Sequence, residues 1–229
     1  MLNAFALGAL TQLSLVLSGL LVFLITVPRR TVGALAGFGA GALIAAVSRD
    51  LLPEAQLLQP VQSALWAMLG AAAIMAGEHY VDEKFGSEGA SAALGIVIGA
   101  IVDGVPEAII FGIQLASGEP VSAAFIAAVF VSNVPQAVAP SADLAESGWT
   151  ARRIGGLWGW VVVACGVAAV LGFLAASVMS RVQGFRMAAF AGGGILAMLS
   201  NSLIPFAHDR DRNAGLWTVV GFCAAFAIG

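Results

Sequence analysis

Apolar runs of about 20 residues follow one another along the whole chain, separated only by short polar connections. A run of that length can cross the hydrocarbon core of a bilayer as a helix, and a helix satisfies its own backbone there. This pattern narrows the fold to an all-α membrane protein before any motif is considered. Charged residues make up 10% of the 229 and hydrophobic ones 60%. An ordinary soluble domain carries about 25% charged residues, so this chain has too little polar surface to cover a globule. A soluble enzyme and a disordered protein are excluded. With 10 Lys+Arg and a net charge of −3, no nucleic-acid partner is expected.

The runs and their punctuation predict eight spans, at about 4–27, 31–53, 62–80, 91–115, 121–144, 153–179, 185–206 and 213–229. Their connections are too short for a second domain, so residues 1–229 read as one transmembrane domain. Asn3 is the only polar residue before the first run, and no basic segment precedes it, which predicts an uncleaved first helix. Arg29, Arg30, Lys84, Arg152, Arg153, Arg210 and Arg212 fall in the odd-numbered connections, while Arg49, Arg181 and Arg186 fall toward the other face. The Lys/Arg excess predicts that the odd connections are cytoplasmic and that both termini of a multi-pass cell-membrane protein lie outside.

Residues 36–55 (AGFGAGALIAAVSRDLLPEA) and 188–207 (AAFAGGGILAMLSNSLIPFA) align without gaps at eight identities in twenty, against roughly two expected from composition. The shared ending Ser-x-x-Leu-x-Pro-x-Ala covers Ser48 to Ala55 and Ser200 to Ala207. Spans 2 and 7 cross in opposite senses, so the relation predicts an inverted repeat. Helices 1–3 (about 4–80) then correspond to helices 6–8 (about 153–229) around a central pair (about 91–144), a 3+2+3 plan. The central spans also resemble each other, with Asp-Gly-Val-Pro-Glu-Ala at 103–108 and Ser-Asn-Val-Pro-Gln-Ala at 132–137.

Asp103 and Glu107 stand i, i+4 within the apolar run of span 4, which places both carboxylates on one helical face. An aspartate at that depth costs about 2.5–3.5 kcal/mol on insertion scales, so a functional role is the first reading. Span 5 offers Asn133 and Gln136, with Ser132 beside them. Pro106 and Pro135 each remove a helical hydrogen bond and free the carbonyls of Val102 and Val131; Pro140 extends the irregularity. These features predict broken helices lining a cavity. Two carboxylates, two amides and freed carbonyls make an all-oxygen nest that a divalent cation would neutralise. Against this stands a proline-kinked pair held by polar contacts alone.

The two central motifs resemble degenerate forms of the His-Asn-x-Pro-Glu-Gly signature of ZIP-type divalent-metal transporters. Leu51-Leu52-Pro53-Glu54-Ala55, Leu203-Ile204-Pro205-Phe206-Ala207 and Gly221-Phe222 are also similar to that family, and the resemblance spans nearly the whole chain. It implies a metal path between helices 2, 4, 5 and 7, with the metal as transported substrate and no prosthetic group. Asp103 stands where the family has His, Gly104 where it has Asn, and Gln136 where helix 5 usually has Glu. Gly159-Trp160-Val161-Val162 supplies no acid on helix 6. One cation held by Asp103, Glu107, Asn133, Gln136 and Ser132 is therefore expected, rather than two.

Glu54, Asp143 and His208 are candidate pathway residues beyond that nest. Glu54 and Asp50 end helix 2 on the outer side, where they read either as attracting cations to an entrance or as ordinary interfacial acids, and Arg49 pairs with Asp50 or reaches the interface. Glu78, His79 and Asp82 at the end of helix 3, and His208, Asp209 and Asp211 after helix 7, read as solvated caps in preference to groups that receive a departing ion. The Gly/Ala runs at 39–46 and 191–197 read as packing surface, and Met68, Met75 and Met198 as core. Cys165 and Cys223 fit neither a disulfide framework nor a metal site. No zinc-protease or serine-hydrolase motif occurs, so no enzyme is expected. The expectation is inward transport of zinc, iron, manganese or a similar ion, with the alternative of a non-transporting binding or accessory subunit. The partners expected are the metal ion, the lipid bilayer and, as an option, a second copy of the chain.

Overall fold

The computed structural model describes residues 1–52, 58–85, 90–118 and 121–228. Helices α1 (Leu2–Leu21), α2 (Arg29–Ala46), α3 (Pro60–Phe85), α4 (Ala90–Ser117), α5 (Ala123–Glu146), α6 (Ala151–Val178), α7 (Arg181–Met198), α8 (Ile204–Arg210) and α9 (Ala214–Ile228) follow in order. No strand occurs among the described residues. Two π-helical turns, Val47–Leu51 and Leu199–Leu203, continue α2 and join α7 to α8. Among the described residues, seven helices are long and apolar enough to cross a membrane, α7 and α8 counting as one. The eighth expected span appears as α9, apolar but shorter. The chain is an all-helical bundle of multi-pass membrane type.

Helix starts follow local chemistry. The Ser122 and Thr150 hydroxyls accept from the backbone N–H groups of Phe125 and Arg153, and Ser180 with Gln183 forms a reciprocal capping box. Gly118 and Gly148, at φ 73° and 86°, supply the left-handed turns that close α4 and α5.

α4 and α5 run as unbroken helices through Pro106, Pro135 and Pro140, contrary to the expectation of broken central spans. The irregular geometry falls instead at the two π turns. Pro205 explains the second: its ring cannot sit against the carbonyl four residues earlier, and a widened turn relieves that clash. Pro53 holds the matching sequence position but lies outside the described residues. Val47–Leu51 and Leu199–Leu203 occupy equivalent places in the aligned 36–55 and 188–207 segments.

The main packing partners are α2 with α9, α3 with α7, α4 with α6, and α1 with both α5 and α6. Glycines set two of these crossings in the same way. A Cβ at Gly41 would overlap the Thr218 carbonyl, and one at Gly221 the Phe38 carbonyl. Likewise a Cβ at Gly193 would overlap the Ala67 carbonyl, and one at Gly70 the Phe190 carbonyl. Phe38 and Phe190, like Gly41 and Gly193, are aligned pairs of the repeat. The partner helices carry a repeat that the sequence analysis missed, Leu65-Trp66-x-x-x-Gly70 and Leu216-Trp217-x-x-x-Gly221. Close backbone approach at small residues is a principal source of helix association in lipid.

The Gly/Ala runs are buried, as a packing surface should be. Met198 is core, but Met68 and Met75 are 67% and 50% exposed. α3 is a peripheral helix, and its outward face meets lipid, where an apolar side chain needs no protein neighbour. Arg49 does not pair with Asp50. Its Nη1 donates to the Phe226 carbonyl at 3.0 Å and its guanidinium lies 5.6 Å from that ring, so it caps the end of α9.

Candidate functional site

Glu107 is 2% exposed at the centre of the bundle. Its Oε2 accepts a hydrogen bond of 3.3 Å from Gln12 Nε2, on α1. The Gln12 Oε1 in turn accepts from Asn133 Nδ2 at 2.9 Å. Asn133 Nδ2 also approaches Ser14 Oγ at 3.2 Å and the Thr11 carbonyl at 3.4 Å. Gln12, Ser14 and Asn133 are all buried. Glu107 and Asn133 are therefore joined through α1 rather than directly across an α4–α5 contact. Glycine makes room for this arrangement. A Cβ at Gly104 would lie 2.8 Å from Cys165 Sγ and 3.3 Å from Gln12 Nε2.

Asp103 and Gln136 form a second layer, one helical turn from the first. Both line a cleft of about 530 Å³ whose wall also includes Asp143, Trp158, Ser202 and Arg210. Gly95 near the start of α4, Asp143 near the end of α5 and Arg210 at the end of α8 adjoin connections 3, 5 and 7 respectively. The cleft therefore runs from Asp103 toward the face of the odd-numbered connections. Trp158 is held in its wall by an Nε1 bond of 2.8 Å to Ser141 Oγ, and Gly19 of α1 leaves space for the indole. Arg210 is fixed over the Phe206 ring, 3.5 Å from its centroid, and donates to the Phe206 carbonyl.

On the other side of Glu107 lies a buried aromatic pair. Phe111, one turn along α4, and Phe125 of α5 are fully buried, with ring centroids 4.9 Å apart. The polar layers thus lie between an open cleft and an aromatic plug.

Glu78 is not a solvated cap. α3 continues to Phe85, so Glu78 lies within the helix and half-buried. Its carboxylate accepts from Asn201 Nδ2 at 2.6 Å and from Ser202 Oγ at 2.7 Å, both in the second π turn. Glu78 and Asp103 lie within electrostatic range of each other. The Ser132 hydroxyl donates to the Val129 carbonyl of its own helix, and Gly39 of α2 packs on its backbone. Asp143 is exposed in the cleft wall, whereas His208 is exposed and does not line the cleft. Glu54 lies outside the described residues. Cys165 is buried and Cys223 exposed, both as free thiols.

Among the described residues, no three His, Cys, Asp or Glu side chains converge as a metal-binding group. The available donor set is mixed: carboxylates of Asp103 and Glu107 with amides of Gln12, Asn133 and Gln136. Such oxygens suit hard divalent cations better than zinc, which favours imidazole and thiolate. Compared with known proteins, the chain matches no family model and no curated protein.

Proposed function

We propose that the chain moves a divalent cation across the cell membrane, bound at the Asp103/Glu107 layers and exposed alternately to the two faces. One observation carries this reading: Asp103 lines a cleft reaching mid-bundle, and Glu107, one turn further along the same face of α4, is buried between it and the Phe111/Phe125 pair. Ionisable groups inside membrane helices face such cavities when they serve an ion path. The matched π turns and reciprocal glycine contacts support an inverted 3+2+3 repeat, the common plan of secondary transporters. The Lys/Arg bias supports termini outside, and in that orientation the cleft would open to the cytoplasm. The ZIP-type resemblance belongs to this proposal too. The amide that the family's motif carries at position 104 is replaced by glycine here, and Gln12 of α1 brings an amide to the same space.

The experiment is uptake of manganese and zinc into liposomes containing the purified protein, compared with Glu107→Ala. Saturable uptake lost in the variant is expected; no uptake above empty liposomes overturns the reading. A second reading is a cation-binding subunit that does not transport. Cation binding that depends on Glu107, without uptake, would select it.

A further inference from the structure

We infer that Gln114 is a cation-contacting station on the far side of the aromatic plug, between Glu107 and the face of the even-numbered connections. The inference rests on the transport reading above and extends its path beyond the Asp103/Glu107 layers. Gln114 is seven residues beyond Glu107 and eleven beyond Asp103. At 100° per residue these offsets put all three within about 40° on α4, along one stripe that reads Asp103, Glu107, Gln114. Phe111 sits between Glu107 and Gln114 and meets Phe125.

Gln114 is 9% exposed, and its Oε1 is buried without a hydrogen-bond partner. An orphaned acceptor at such depth is a standing cost and needs a reason. Ordinary packing would favour leucine here, since the stripe's neighbours Ile110, Phe111 and Ile113 are apolar. A second oxygen points the same way. Asp50 Oδ2 is also buried and unpartnered. It is carried by the first π turn, whose Val47 and Leu51 belong to the same buried cluster as Phe111 and Phe125. Amide and carboxylate oxygens left unpaired beyond the Phe111/Phe125 pair are acceptors that a passing cation would satisfy. The ligand class is a hard divalent cation, for which carbonyl and carboxylate oxygens are the preferred donors.

The test uses the full chain and manganese as the probe, with uptake measured from each face in right-side-out and inside-out vesicles. Gln114→Leu should raise the half-saturating concentration from the even-connection face about tenfold, the factor expected for one ordinary polar contact. Uptake from the cleft face should keep its wild-type half-saturation, which also shows that the variant is folded. Gln114→Glu should restore wild-type half-saturation at the even face or lower it. Equal changes at both faces, or none at either, overturn the inference while wild-type transport leaves the parent reading standing. Absence of manganese uptake by the wild type at both faces overturns the parent reading, and this station with it.

Discussion

Replacing Gln12 by leucine removes the amide that joins Glu107 to Asn133 while keeping comparable bulk, so the perturbation is polar rather than steric. The two ends lose unequally. Asn133 Nδ2 retains Ser14 Oγ and the Thr11 carbonyl as acceptors, and its loss is one net hydrogen bond, about 0.5–1.5 kcal/mol. Glu107 loses the hydrogen bond that Gln12 provides in a fully buried setting, a loss of about 1–3 kcal/mol. Added together these give about 1.5–4.5 kcal/mol by soluble-protein arithmetic. Lipid changes the reference state: helices separated within a bilayer find other partners, and interhelical hydrogen bonds there average about 0.6 kcal/mol with a maximum near 1.7. A double-mutant cycle of Gln12→Leu, Glu107→Leu and the pair distinguishes the total loss from the pairwise coupling. Unfolding in mixed micelles of rising dodecyl sulfate content, followed by tryptophan fluorescence, supplies the three free energies. A coupling of about 0.6–1.7 kcal/mol is expected. Additivity within about 0.3 kcal/mol, as for distant sites, would refute the α1 bridge.

Gly41→Ala and Gly193→Ala should each destabilise by about 1–3 kcal/mol in the same assay, because each new Cβ meets a backbone carbonyl. Gly99→Ala, whose Cβ would meet nothing within 4 Å, should change little, and unequal losses at Gly41 and Gly193 would count against the repeat. Glu107→Ala should abolish manganese binding in calorimetric titration, whereas Gln136→Ala should weaken it less, since a neutral amide contributes only a dipole. Asp103→His should shift competition among divalent ions toward zinc, because imidazole replaces an oxygen donor; an unchanged order would remove position 103 from the ligand set.

The spans were legible because twenty apolar residues in a row is a local signal that needs no tertiary knowledge. The 36–55 and 188–207 repeat was legible for the same reason, and the π turns at its equivalent positions give it a structural counterpart. The Leu-Trp-x-x-x-Gly pair went unread because it lies 151 residues apart while the first repeat lies 152 apart, so one ungapped alignment cannot carry both. Gln12 went unread for a different reason. Thr11, Gln12 and Ser14 interrupt an apolar run without a charge, and only packing shows that their helix comes between α4 and α5. The clue was the number of polar side chains at that depth, each of which needs a partner in lipid. Glu78 was misplaced by a boundary. With α3 ending near residue 80 it reads as a cap, and with α3 reaching Phe85 it becomes an interior acid facing the second π turn.

The two π turns share backbone geometry but not chemistry, and that difference bears on which face the cleft opens to. At aligned positions, Arg49 and Asp50 stand in the first turn where Asn201 and Ser202 stand in the second. Arg49 ties its turn to the carbonyl end of α9. Asn201 and Ser202 tie theirs to the Glu78 side chain, an acid within electrostatic range of Asp103. If the halves are related as proposed, each turn would exchange environments with the other as the cleft closes at one face and opens at the other. An arginine bound to a helix end needs nothing from the path. The Glu78 carboxylate is different, because under the transport proposal a cation arriving beside Asp103 would compete with Asn201 and Ser202 for it. Under the transport proposal, occupancy of the cleft would then loosen the second turn while leaving the first in place, and a bound ion would be coupled to α7 and α8 rather than to α2.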